Sequence, residues 1–126
     1  MKIEHLAIWT NQLEELKNFY CNYFKAESSD KYHNPNKEFS SYFLTFKSGS
    51  RLELMHRPKL KNNDTKPSVG LAHFAFSVGS EAEVDRLTKM LKNEGYPPID
   101  GPRRTGDGYY ESTFHDPDGN IVELTV

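Results

Sequence analysis

The chain has 126 residues, 36% of them apolar and 27% charged, with a formal charge of -2. One soluble domain of this length buries a core without covalent staples. Its weakly acidic balance excludes nucleic acid as a default partner, because no basic excess offsets phosphates.

In chain order, residues 2–9 predict a strand. Asn11-Gln12-Leu13-Glu14 then has the form of a helix start, a capping side chain followed three residues on by an acid. Leu13, Leu16, Phe19, Tyr20, Tyr23 and Phe24 recur at helical spacing and give one apolar stripe. Short strands are expected near 25–30, 39–46 and 51–56. Two prolines, a glycine and several polar turn formers make 57–70 a connection.

After that connection the order restarts. A strand at 71–78 precedes Ser80-Glu81-Ala82-Glu83, a capping box, and Val84, Leu87 and Leu91 form a second stripe that ends near Gly95. Strands follow at 97–103, 108–115 and 120–126, the last two joined by the D-P-D-G turn at 116–119. The plan is βαβββ, twice: module one over 1–56, a linker over 57–70 and module two over 71–126, within a single domain, 1–126.

The single cysteine, Cys21, sits in an apolar helical pattern, reads as a small buried hydrophobe and forms no internal disulfide. With no signal-peptide core and no apolar run of membrane-spanning length, a cytoplasmic protein without a membrane partner is expected.

Two residue pairs fall at matching places in the copies. His5 and His73 are 68 positions apart, each in the first strand of its module. Glu53 and Glu123 are 70 apart, each in the last strand. Strand side chains alternate between faces, and all four residues have apolar neighbours that need a core. Leu6, Leu52, Leu54, Phe74, Val122 and Leu124 therefore face the helices, and the His and Glu share the other face. A lone strand His or Glu is usually a satisfied or solvated side chain. Two such pairs at repeated positions instead point to a divalent metal, because unpaired buried carboxylates are costly. Nitrogen and oxygen ligands without thiolate favour Ni, Co, Zn, Fe or Mn. His33, His56 and His115 have no repeat partners; His56 alone is near enough to the site to watch.

E-H-L-A-I at 4–8, L-K-N-F-Y at 16–20, L-E-L at 52–54, A-H-F-A-F at 72–76 and D-P-D-G-N-I-V-E-L at 116–124 together resemble the vicinal oxygen chelate superfamily. That group includes glyoxalase I, extradiol dioxygenases and bleomycin-binding proteins. The resemblance implies an α+β fold, two tandem βαβββ modules forming a curled eight-stranded mixed sheet with helices on its convex side. His5, Glu53, His73 and Glu123 look like the metal-ligand quartet of glyoxalase I. By that likeness the protein is a metal-dependent lyase or isomerase, converting a 2-oxoaldehyde–thiol hemithioacetal or related small carbonyl compound through an enediolate. Glu123 is then the main base and Glu53 its counterpart. The alternative is a non-catalytic small-molecule binding or resistance protein of the same fold. Glutathione-using members commonly carry an arginine four residues beyond the first His, where this chain has Trp9. An indole cannot hold a carboxylate as a guanidinium does. Trp9, Arg51, Arg103 and Arg104 are candidates for the substrate pocket, and the resemblance implies a homodimer.

Overall fold

The computed structural model describes residues 1–61 and 69–126; residues 62–68 of the expected connection lie outside the described residues. The chain divides into two compact units, Met1–Asp64 and Thr65–Val126.

Unit 1 runs β1 (His5–Trp9), α1 (Leu13–Phe24), β2 (Glu27–Ser28), β3 (Tyr32–Asn34), a 3-10 turn (Pro35–Lys37), β4 (Phe39–Thr45) and β5 (Arg51–His56). Its sheet has the order β1-β5-β4-β2, with β3 also on β4. β1 lies parallel to β5, and the remaining pairs are antiparallel. Unit 2 repeats the plan with β6 (Phe74–Ser77), α2 (Glu81–Asn93), β7 (Pro98–Arg104), β8 (Tyr110–His115) and β9 (Ile121–Thr125). The order is β6-β9-β8-β7, again with the first strand parallel to the last. The fold is thus α+β, with a βαβββ arrangement in each unit.

Among the described residues there are nine strands, in mixed sheets of five and four, one strand more than the sequence predicts. The extra strand is β3, which lies beyond the predicted 25–30 strand, and of that prediction only Glu27–Ser28 forms, as β2. Ser28 and Ser29 donate their hydroxyls to the carbonyls of Ser29 and Asp30, and Ser29 Oγ accepts from the Phe43 N–H. Such local side-chain bonds compete with a continuous ladder.

In each unit the core lies between one helix and one sheet face. α1 buries Leu13, Leu16, Phe19 and Tyr20, and the facing strands supply Tyr42, Leu44, Leu52 and Leu54. Its N-cap is Gln12, not Asn11, and the Gln12 N–H donates to Thr10 Oγ1. The Asn11 amide is drawn instead to the Leu60 carbonyl. α2 buries Val84, Thr88 and Leu91 over a sheet face carrying Ser112, Phe114, Val122 and Leu124. Ser80 caps it as its sequence predicts, accepting from the Glu83 N–H. The D-P-D-G turn is closed by Asp116, which is buried and accepts from the backbone of Asp118 and Asn120 and from the Asn120 amide. That turn fixes the register of β9, and with it the direction of Glu123.

Candidate metal centre

Alternation along β1 sends Ile8 into the core and leaves His5, Ala7 and Trp9 on the opposite face. On β5, Leu52 and Leu54 are buried and Arg51, Glu53 and Met55 share the open side. The parallel register sets Ala7 beside Glu53 and His5 beside Arg51. Glu53 Oε2 then lies 3.9 Å from His5 Nε2, too far for a hydrogen bond. The other imidazole nitrogen, Nδ1, is 2.6 Å from Glu4 Oε2. Phe43, opposite Glu53 on β4, meets the His5 ring edge-to-face at 5.4 Å.

Unit 2 repeats the geometry. Val122 and Leu124 are buried, and Glu123 stands between them on the open face beside Ala75. His73 lies one residue before β6, a strand shorter than the 71–78 segment predicts. Its Nε2 is 3.5 Å from Glu123 Oε2. The Glu123 side chain is 14% exposed and that of Glu53 is 17%, so both carboxylates are largely withdrawn from water. Burial pushes the Glu123 carboxyl above its ordinary range and the nearby Glu111 charge adds to this, while His73 and Arg103 pull the other way. Glu4 shifts downward, chiefly through its hydrogen bond to His5 and then through Arg51.

These donors suit a divalent ion. Nitrogen and oxygen ligands bind such ions at about 2.0–2.2 Å, so two ligands of one tetrahedral ion sit about 3.4 Å apart. Both His–Glu separations are near that value and longer than a direct hydrogen bond. Within each unit, among the described residues, no third His, Cys, Asp or Glu joins the pair closely enough to make a three-ligand site.

The four pocket candidates part company. Trp9 is 44% exposed on the His5 face, with the Arg57 guanidinium 4.8 Å over its ring and Phe39 edge-on at 6.2 Å. Arg51 stacks on Phe43 at 4.3 Å and is paired with Glu4. Arg103 bridges Asp100 at 2.5 Å and Glu111 at 3.4 Å. Arg104 is taken up by Glu81 at the start of α2 and by the Gly108 carbonyl. The unrepeated histidines bond locally: His56 to the Thr10 carbonyl, His33 to Ser40 Oγ and His115 to the Gly119 carbonyl. Cys21 is half-buried, and burial raises its thiol, as suits a packing residue. Sequence reasoning missed Glu4 and Arg57. Each lies just outside a strand end, where alternation no longer assigns a face.

The family model for the Glyoxalase/Bleomycin resistance protein/Dioxygenase superfamily matches residues 2–124. The chain belongs to that superfamily. Among solved structures, a glyoxalase family protein from Enterococcus faecalis is 26% identical with a TM-score of 0.80, covering 99% of this chain and 97% of its own. A lactoylglutathione lyase from Agrobacterium tumefaciens is 25% identical with a TM-score of 0.70, covering 98% and 91%. The trypanothione-dependent glyoxalase I of Leishmania major shares the superfamily fold at 21% identity and a TM-score of 0.78, covering 98% and 85%. No curated protein matches the chain. Among the described residues of this superfamily member, no helix is long and apolar enough to cross a membrane.

Proposed function

We propose that the protein is a metal-dependent lyase or isomerase of the glyoxalase I type, with His5, Glu53, His73 and Glu123 as ligands of a divalent ion. One observation carries this reading: each unit sets an imidazole Nε2 against a half-buried carboxylate on the sheet face away from its helix, at 3.9 and 3.5 Å. When bound, such an ion supplies Lewis acidity to a substrate carbonyl.

The chain's own residues do the rest. Glu123 Oε takes the proton from the carbon beside the carbonyl and returns it to the neighbouring carbon, a role that its desolvated, raised carboxyl supports. Glu53 is its counterpart in unit 1. The substrate class is a 2-oxoaldehyde–thiol hemithioacetal or a related small carbonyl compound. On the His5 face, Trp9 offers an indole with the Arg57 guanidinium above it, so the thiol need not be glutathione. The family likeness also supports a homodimer, and the lone cysteine supports a reducing, cytoplasmic setting.

Elemental analysis of the purified protein beside His5→Ala and Glu123→Gln tests the site. The expected result is one of Ni, Co, Zn, Fe or Mn in the wild type and its loss in both variants. Metal-loaded protein incubated with methylglyoxal and a panel of thiols in deuterated water then tests the chemistry, with label expected in the product. Metal retained by both variants would overturn the site. Bound metal without turnover on any thiol or simple 2-hydroxy ketone would make the protein a binder of the same fold.

A further inference from the structure

We propose that Glu4 is a positioning residue for the metal-facing imidazole of unit 1: it accepts the His5 Nδ1–H hydrogen bond and thereby presents a bare Nε2 toward Glu53. The inference rests on the metal reading above and deepens it. An ionised carboxylate only accepts hydrogen bonds, so the 2.6 Å contact from Glu4 Oε2 requires the proton to sit on Nδ1. A neutral imidazole then has its lone pair on Nε2. That lone pair faces Glu53 Oε2, a second acceptor, and a cation between them resolves the opposition.

Glu4 is exposed, but it is not loose. Its other oxygen accepts from Arg51 Nε at 2.7 Å and pairs with Nη2 at 2.6 Å. The Arg51 guanidinium sits over the Phe43 ring at 4.3 Å, and Phe43 meets the His5 ring edge-to-face. The contacts close a ring, His5 to Glu4 to Arg51 to Phe43 and back to His5, which fixes both the tautomer and the tilt of the imidazole. A partner on the second ring nitrogen orients a ligating histidine and raises its basicity. Unit 2 is built differently here. Ala72 precedes His73, so that position supplies no carboxylate. The two units therefore offer one pre-set imidazole and one without this restraint.

Long-range proton–nitrogen correlation spectra of the metal-free protein test this directly, at about pH 8 where an ordinary imidazole is neutral. In the wild type, His5 should carry its proton on Nδ1. In Glu4→Ala that proton should move to Nε2, while the His73 signals stay in place as the internal control for folding. Co(II) titration should show affinity falling about 10–100-fold in Glu4→Ala, and by less in Glu4→Gln, whose amide oxygen still accepts from Nδ1. A proton on Nε2 in the wild type would overturn the proposal, as would a Glu4→Ala variant that binds Co(II) like the wild type. A wild type that takes up no Co(II) would defeat the metal reading instead, and the metal-free spectra would still decide the role of Glu4.

Discussion

Thr88 and Ser112 bring two hydroxyls together between α2 and β8, 2.7 Å apart, and Thr88 Oγ1 is also 2.7 Å from the Val84 carbonyl. Ser112 is 1% exposed, so water cannot stand in for a lost partner. Replacing Thr88 with Val keeps its shape but strands the Ser112 hydroxyl in an apolar layer. The expected cost is about 1–3 kcal/mol, the penalty for an unsatisfied buried polar group, and urea unfolding reads it. The double variant Thr88→Val with Ser112→Ala should recover much of that loss, because both polar groups are then gone. A double variant weaker than Thr88→Val alone would mean that the two hydroxyls do not act as a pair. Residues like these are invisible to a sequence reading: hydrophobic period places Val84 and Leu91 on the buried stripe, but nothing in the string says that Thr88 and Ser112 meet.

Elements are tied together in unit 1 by Glu14 in the first turn of α1. It accepts from Lys31 at 2.9 Å, from Lys17 at 3.1 Å and from the Tyr42 hydroxyl on β4 at 2.9 Å. These contacts hold its carboxyl down to about 2, the Lys31 hydrogen bond being the largest cause. An ordinary carboxyl in the unfolded chain titrates near 4.5, so the folded state binds this proton more weakly. The resulting stability is therefore complete above 4.5 and is lost as pH falls toward 2. The side chain is half exposed, so water and salt screen the gain. Urea midpoints followed from neutral pH down to about pH 2 should fall less steeply for Glu14→Gln than for wild type. Parallel curves would show that the network contributes nothing to stability. At this scale the string was most legible where period and turn chemistry agree. Both helix stripes, the Ser80 cap and the 116–119 turn stand where their residues predict. It was least legible where side chains compete with the backbone. Serines 28 and 29 cut the predicted 25–30 strand short at β2, and β7 shifts register against β8 around Gly101. There φ is +82° and an added Cβ would run into the Glu111 carbonyl, a close approach that no local pattern announces.

Across the whole molecule, one plan was used twice, and the copies agree best where function is proposed. The helices keep only an apolar stripe in common, whereas each unit sets a histidine, at or just before its first strand, against a glutamate on its last. Matching offsets made those pairs readable, since alternation converts a position in a strand into a face. Less readable was Glu4, which reaches His5 from just outside the strand, where alternation assigns no face. An ion that binds only the folded chain stabilises it by mass action, by about 2.7 kcal/mol at a hundredfold excess over Kd. Adding Co(II) should therefore raise the melting temperature of the wild type. The Glu123→Gln variant separates a ligand from a structural side chain, because its two expected effects have opposite signs. Without metal it should melt no lower than wild type, since the amide relieves a desolvated carboxylate crowded by Glu111. With Co(II) it should lose most of the rise. If Glu53 and Glu123 are both ligands as proposed, Glu53→Gln should lose a similar share, and the double variant little more than either alone. Melting curves of the four proteins, with and without metal, settle the matter. Equal rises in all four would remove both glutamates from the metal site.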